Sequence, residues 1–137
     1  MPITHKDHLR EILTTARVIA VVGHSDRPER TSYQIGRMLK SVGYSVYPVN
    51  PNVRHIEGDI CYPSLAAVPE PIDIVNVFRR SEYLANVVEE AIRVGAKTIW
   101  AQLGVYDAEA ARRAETAGLQ VVMDQCIKVV YYDVVPK

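Results

Sequence analysis

Residues 17–23 read Arg17-Val18-Ile19-Ala20-Val21-Val22-Gly23, and this stretch decides the fold. Its unbroken apolar, mostly β-branched run describes a strand covered on both faces. The glycine at its end lets the chain turn at a backbone angle that other residues avoid. The polar segment 24–31 (HSDRPERT) then forms a loop. A helix follows, with Ile35, Leu39 and Val42 on one face, Gly43 behind it, and Thr31 or Ser32 as its N-cap. Strand, turn and helix in that order form the unit from which parallel α/β sheets are built.

The unit recurs along the chain. Ser45–Val49 (SVYPV) is a second strand, although Pro48 inside it has no N–H to give to a central ladder. Asp73–Phe78 (DIVNVF), Lys97–Ala101 (KTIWA) and Leu119–Met123 (LQVVM) are the third, fourth and fifth. Helices are expected over about 81–94, ended by Gly95, and from an Asp107 cap to Ala117, ended by Gly118. A further helix over about 5–15 precedes the first strand, with Thr4 as its N-cap and Asp7 three residues on. Residues 52–71 are irregular, with one helical turn near 64–67. Short connections and right-handed crossovers then give an α/β fold. The expected form is a Rossmann-like doubly wound parallel sheet of about five strands, order 3-2-1-4-5, with helices on both faces and residues 1–137 in one domain. In that order the ligand crevice opens between strands one and four, at their carboxyl ends. The tail 127–135 (IKVVYYDVV) is apolar and β-prone. It reads as a further strand or as an arm on a partner subunit, which is the basis for expecting a homodimer.

A chain of 137 residues can bury a core of its own. Hydrophobic residues at 48% and charged residues at 23% are ordinary for a globular protein. Sixteen basic residues balance sixteen acidic ones, which argues against sequence-independent nucleic-acid binding. No run approaches the ~20 apolar residues of a membrane span, and the opening MPITHK lacks the apolar segment of a signal peptide. Two cysteines, Cys61 and Cys126, are too few for a disulfide framework. The expectation is a cytoplasmic protein that binds neither nucleic acid nor membrane.

Gly23-His24-Ser25 sits where a glycine turn and the following helix N-terminus favour an anion. It is not a G-x-G-x-x-G motif, because Ser25 stands at the second glycine, and a plain turn in such a fold needs the same glycine. Arg27 and Arg30 supply positive charge or are simply solvated. Ser25, Thr31 and Ser32 have hydroxyls that either meet a phosphate or cap the helix. After the second strand, Asn50-Pro51-Asn52-Val53-Arg54 contains no Asp or Glu for the adenosine ribose of NAD. Phe78-Arg79-Arg80 places two arginines at the crevice edge, suited to phosphate. Cys126 is either a reactive thiol at that edge or a buried inert one. His5 and His8 lie one helical turn apart without a third ligand, so no metal site is expected. No acid–base pair, nucleophile elbow or P-loop is present.

Five blocks together resemble a known family: VVGHS (21–25), VYPVNP (46–51), DIVNVFR (73–79), TIWAQLG (98–104) and MDQCIKV (123–129). They resemble the small stand-alone CoA-binding proteins, which are similar in turn to the CoA-binding domain of the succinyl-CoA synthetase α subunit. The resemblance spans about residues 10–130. It implies coenzyme A or an acyl-CoA at the carboxyl edge of the sheet. Gly23, His24 and Ser25 would line the pyrophosphate; Arg30 and Ser32 join the expected site from the reading of the loop itself. Asn50 would meet the adenosine, Phe78 and Arg79 would flank the adenine or the 3′-phosphate, and Gln102 and Gly104 would border the pantetheine. Asn76 stands where the family often has an aspartate. The synthetase's phosphorylated histidine lies in a second domain without a counterpart here, so the resemblance implies a binding protein and not an enzyme. Two alternatives stay open: an NAD-type dinucleotide-binding or redox protein, and a thiol-based role through Cys126.

Overall fold

A computed structural model describes residues 1–137. Five strands form one sheet: β1 (Val18–Val22), β2 (Ser45–Val49), β5 (Ile74–Val77), β6 (Thr98–Ala101) and β7 (Gln120–Val122). Their order is β2-β1-β5-β6-β7, and every neighbouring pair is parallel. Between β2 and β5 lies a small antiparallel hairpin, β3 (His55–Ile56) and β4 (Asp59–Ile60). Side chains alternate along the strands. Ala20, Val22, Val75, Val77, Ile99 and Ala101 face α3 (Leu84–Arg93) and α4 (Ala108–Thr116). Ile19, Val21, Ile74, Trp100 and Val122 face α1 (Lys6–Thr15), α2 (Thr31–Ser41) and α5 (Ile127–Val134). This is the Rossmann-like α/β fold with helices on both faces.

Three expectations need correction. In the numbering of the five long strands the order is 2-1-3-4-5, not 3-2-1-4-5. The second strand is therefore at an edge, and Pro48 is the reason. Its carbonyl points away from β1 and accepts the Tyr62 N–H at 2.9 Å. Its ring nitrogen lies on the same outer side, where no ladder bond is required. The switch point, and with it the ligand crevice, moves to the gap between β1 and β5.

The tail is neither a strand nor an arm. Residues Ile127–Val134 form α5, with Ile127, Val130 and Val134 buried against the sheet. Those positions recur at three, four and seven, so burying one helical stripe outweighs the β-propensity of the Val and Tyr residues.

The capping assignments also shift. His5, not Thr4, caps α1, its Nδ1 accepting the Asp7 N–H at 3.2 Å. Neither Thr31 nor Ser32 caps α2: Arg30 holds the N-cap position, and no side chain caps that helix.

At the amino edge of the sheet, polar groups are matched within the chain. The Asp73 carboxylate accepts the N–H groups of Arg17 and Val18, both at 2.9 Å, and Lys97 lies 3.4 Å away. Burial alone would raise its pKa, but these donors outweigh it and hold the carboxyl below its ordinary value.

Candidate functional site

The carboxyl edge is different. β1 is followed by Gly23, whose φ of +85° demands glycine. A Cβ there would also lie 3.2 Å from the Phe78 carbonyl and 3.2 Å from Cγ of Arg79. The turn and the end of β5 therefore lie close enough that a side chain at Gly23 would press on the Phe78 backbone. From Gly23 the loop runs to α2, whose first turn leaves its amides without partners. The N–H groups of Thr31, Ser32 and Tyr33 make no hydrogen bond within the chain, and neither does that of Asp26. Such orphan donors, with the helix dipole behind them, suit an anion.

Thr31 and Ser32 border a depression of about 380 Å³ that Gly23, Ser25, Glu29, Arg30 and Phe78 also line. Gly23, Arg30 and Phe78 also line a groove of about 780 Å³ that continues past Asn50 and Ser64 to Arg79, Arg80 and Tyr83. The chain's arginine ion pairs involve Arg10, Arg37, Arg80 and Arg113. Arg30 and Arg79 are free of carboxylates, although the protein as a whole is neutral. The guanidinium carbon of Arg79 lies 4.4 Å from the centroid of the Tyr83 ring, a cation–π stack. Two unpaired cations and a row of unpaired amides along one groove can hold a ligand with separated anionic groups.

The expected site residues divide into two sets. Gly23, Ser25, Arg30, Ser32, Asn50, Phe78 and Arg79 gather around these two depressions. Some of them serve the loop's own structure. The Ser32 hydroxyl accepts the Ser25 N–H at 2.9 Å, and Ser25 Oγ accepts the Arg27 N–H at 3.0 Å. Asn50 Nδ2 donates to the His24 carbonyl at 3.1 Å, while its Oδ1 accepts the Asn52 N–H. His24 belongs to the loop by its backbone only. Its ring is turned inward beneath α2 and is 4% exposed. Burial lowers its pKa, the Ser25 carbonyl and Glu57 opposing more weakly, so the ring is neutral at pH 7.

Gln102 and Gly104 stand apart from both depressions. Gln102 Oε1 accepts the Ile127 N–H at 3.3 Å and an amide hydrogen of Asn76 at 3.4 Å, inside the core. Asn76 Nδ2 also donates to the Trp100 carbonyl at 3.2 Å. An aspartate, once ionised, could not make these donations, which gives Asn76 a structural reason to differ. Its Oδ1 is buried without a partner. Gly104, at φ +88°, gives its N–H to Asp124 at 2.7 Å. Cys126 is half-buried at the start of α5 and packs on that helix's side of the core. Cys61 is buried, and burial pushes its thiol pKa up, against a reactive thiolate at neutral pH. No group of three or more His, Cys, Asp or Glu is arranged to hold a metal. No helix is long and apolar enough to cross a membrane.

Sequence reasoning missed Ser64 and Tyr83 as groove residues. Tyr62 extends the sheet beside β2: its N–H goes to Pro48, and its carbonyl accepts the Asn50 N–H at 2.9 Å. That pairing brings Ser64 to the groove across an irregular segment with no periodic signal. Tyr83 carried a signal, being an aromatic residue four positions after Arg79.

Residues 17–132 match the family model described as a CoA binding domain. The uncharacterized protein YneT of Bacillus subtilis is 44% identical over 126 residues, covering 92% of this chain and 93% of that protein. An ADP-forming acetate–CoA ligase I of Archaeoglobus fulgidus is 32% identical over 127 residues, which is 85% of this chain but only 18% of the ligase. A hypothetical protein from Pyrococcus horikoshii OT3, solved as a structure, superposes with a TM-score of 0.93 at 38% identity, over 98% of this chain and 96% of that one.

Proposed function

Because this chain belongs to the CoA-binding domain family, we propose that it binds coenzyme A or an acyl-CoA at the β1–β5 crevice and carries no catalytic machinery of its own. The observation that carries this reading is the uncapped amino end of α2, whose free amides border the Gly23 turn and the unpaired Arg30. The residues present fit the ligand. A pyrophosphate would accept from the amides of Asp26, Thr31 and Ser32, with Arg30 neutralising charge. The groove leads from there to Arg79, a second unpaired cation suited to a third phosphate.

The ionisable side chains that line the two depressions are Arg30, Arg79, Arg80, Tyr83, Glu29 and Glu90. No histidine or cysteine stands among them, so the groove offers neither a thiol nucleophile nor an imidazole base. The ligand is the partner proposed. The place of action proposed is the cytoplasm, where the free thiols Cys61 and Cys126 stay reduced.

Thermal unfolding with matched concentrations of CoA, acetyl-CoA, dephospho-CoA and NAD tests the reading. A ligand at 100 times its Kd stabilises a fold by about 2.7 kcal/mol. CoA is expected to raise the midpoint saturably, dephospho-CoA less, and NAD not at all. Stabilisation by NAD alone, or by none of the four, would overturn the proposal.

A further inference from the structure

Gly36 occupies the middle of α2, where glycine is the least favoured residue after proline. The helix turns no corner there and Gly36 has no positive φ, so backbone freedom does not explain it. The neighbour does. A Cβ at Gly36 would lie 2.3 Å from Nε2 of His24 and 2.9 Å from its Cδ2. The missing side chain is the space into which the imidazole fits. Tyr33, three residues earlier on the same helix, closes one side with its ring at 72° and 6.1 Å from the imidazole.

In that seat, Nδ1 lies 2.8 Å from the Ser25 carbonyl. A carbonyl only accepts, so Nδ1 carries the proton and donates. The Ser25 carbonyl is thereby turned inward, toward the imidazole. The Ser25–Asp26 peptide is trans, so the Asp26 N–H points the opposite way, and it has no partner in the chain. Were the peptide reversed, an oxygen would stand where a donor now stands, and it would repel an anion.

From this we infer that His24 is a positioning residue for the anion loop, held in a notch that Gly36 provides on α2. The imidazole does not touch the ligand. It sets the Ser25–Asp26 peptide so that the N–H faces out and the carbonyl faces in. This rests on the CoA reading above for the identity of the anion, while the device itself rests on the His24–Gly36 contact.

The test is a double-mutant cycle of His24→Ala and Gly36→Ala with CoA as the probe, read by calorimetric Kd and by the midpoint of ligand-free unfolding. His24→Ala frees the peptide and should weaken CoA about tenfold, the value of one lost orienting hydrogen bond. His24→Asn places an amide donor near the position of Nδ1 and should recover most of that loss, which a purely space-filling role would not allow. Gly36→Ala alone should weaken CoA and lower the midpoint, because the ring is expelled. In the His24→Ala background the same substitution should cost no further affinity and should raise the midpoint, since alanine is the better helix former. Wild-type binding with His24→Ala unchanged, or equal effects of Gly36→Ala in both backgrounds, overturns the positioning role alone. Failure of the wild-type protein to bind CoA overturns the ligand reading and this role with it.

Discussion

Two helices begin at the carboxyl edge of the same sheet, each after a parallel strand, and they finish their amino ends in opposite ways. At α4, Asp107 accepts the N–H groups of Glu109 at 3.0 Å and Ala110 at 3.1 Å, and Asp124 takes the Gly104 N–H in the preceding loop. Two of the first three amides of α4 are thus satisfied by its own cap. At α2 the cap position holds Arg30, no side chain reaches the first amides, and the first turn holds no acidic residue. Folding requires one solution to the orphan-donor problem and uses it at α4. At α2 the first amides stay open, and they are the donors assigned to the proposed ligand. The amino edge is likewise closed, since Asp73 there satisfies two amides at the start of β1 and a lysine at once.

The largest effect is expected at Gly23. Gly23→Val combines a positive φ with a Cβ against the Phe78 backbone. It should cost about 2–3 kcal/mol of stability and abolish measurable CoA binding, as read by denaturant unfolding and calorimetry.

The next largest effect is expected where α2 is given the kind of cap that α4 has. Arg30→Asp should leave the ligand-free protein as stable or more stable, by up to about 1 kcal/mol. It should weaken CoA on the order of 100-fold, because a carboxylate replaces the cation beside the phosphates. Stability and affinity moving in opposite directions is the signature sought.

Asp73→Asn should cost about 1–2 kcal/mol at neutral pH through weakened acceptance of two backbone donors, with CoA affinity unchanged. The native carboxyl titrates below its ordinary value. Its contribution is therefore present above about pH 4 and lost as the pH falls through the lower folded pKa. The gap between wild type and variant should be constant from neutral pH down to about pH 4 and close below it, as urea titrations at each pH would show.

The smallest effect is expected at α4. Asp107→Ala removes a cap worth about 1 kcal/mol and should leave the CoA Kd unchanged. A loss of affinity equal to that of Arg30→Asp would mean that the two helix ends are not distinct.

The strands and most helices were legible because their residues repeat at fixed periods and stop at glycine. Strand order was harder: the sign was one proline, Pro48, read as a weak central residue when its missing N–H marks an edge. The tail misled because Val129, Val130, Tyr131 and Tyr132 favour strands locally, while only every third or fourth residue is buried. At the site, the loop positions could be read from the Gly23 turn, but the direction of each side chain could not. Gln102 turns inward to Ile127 and Asn76, 25 and 26 positions away. His24 turns inward because Gly36 lacks a Cβ. Such partners are set by tertiary packing, which no local pattern encodes.

The most direct test is an amide NMR titration of the uniformly ¹⁵N-labelled protein with CoA. The resonances of Asp26, Thr31, Ser32 and Tyr33 should shift with ligand to a common Kd, while those of Glu109 and Ala110 stay in place. Shifts at α4 with none in the first turn of α2 would contradict the assignment of the anion to the open helix end.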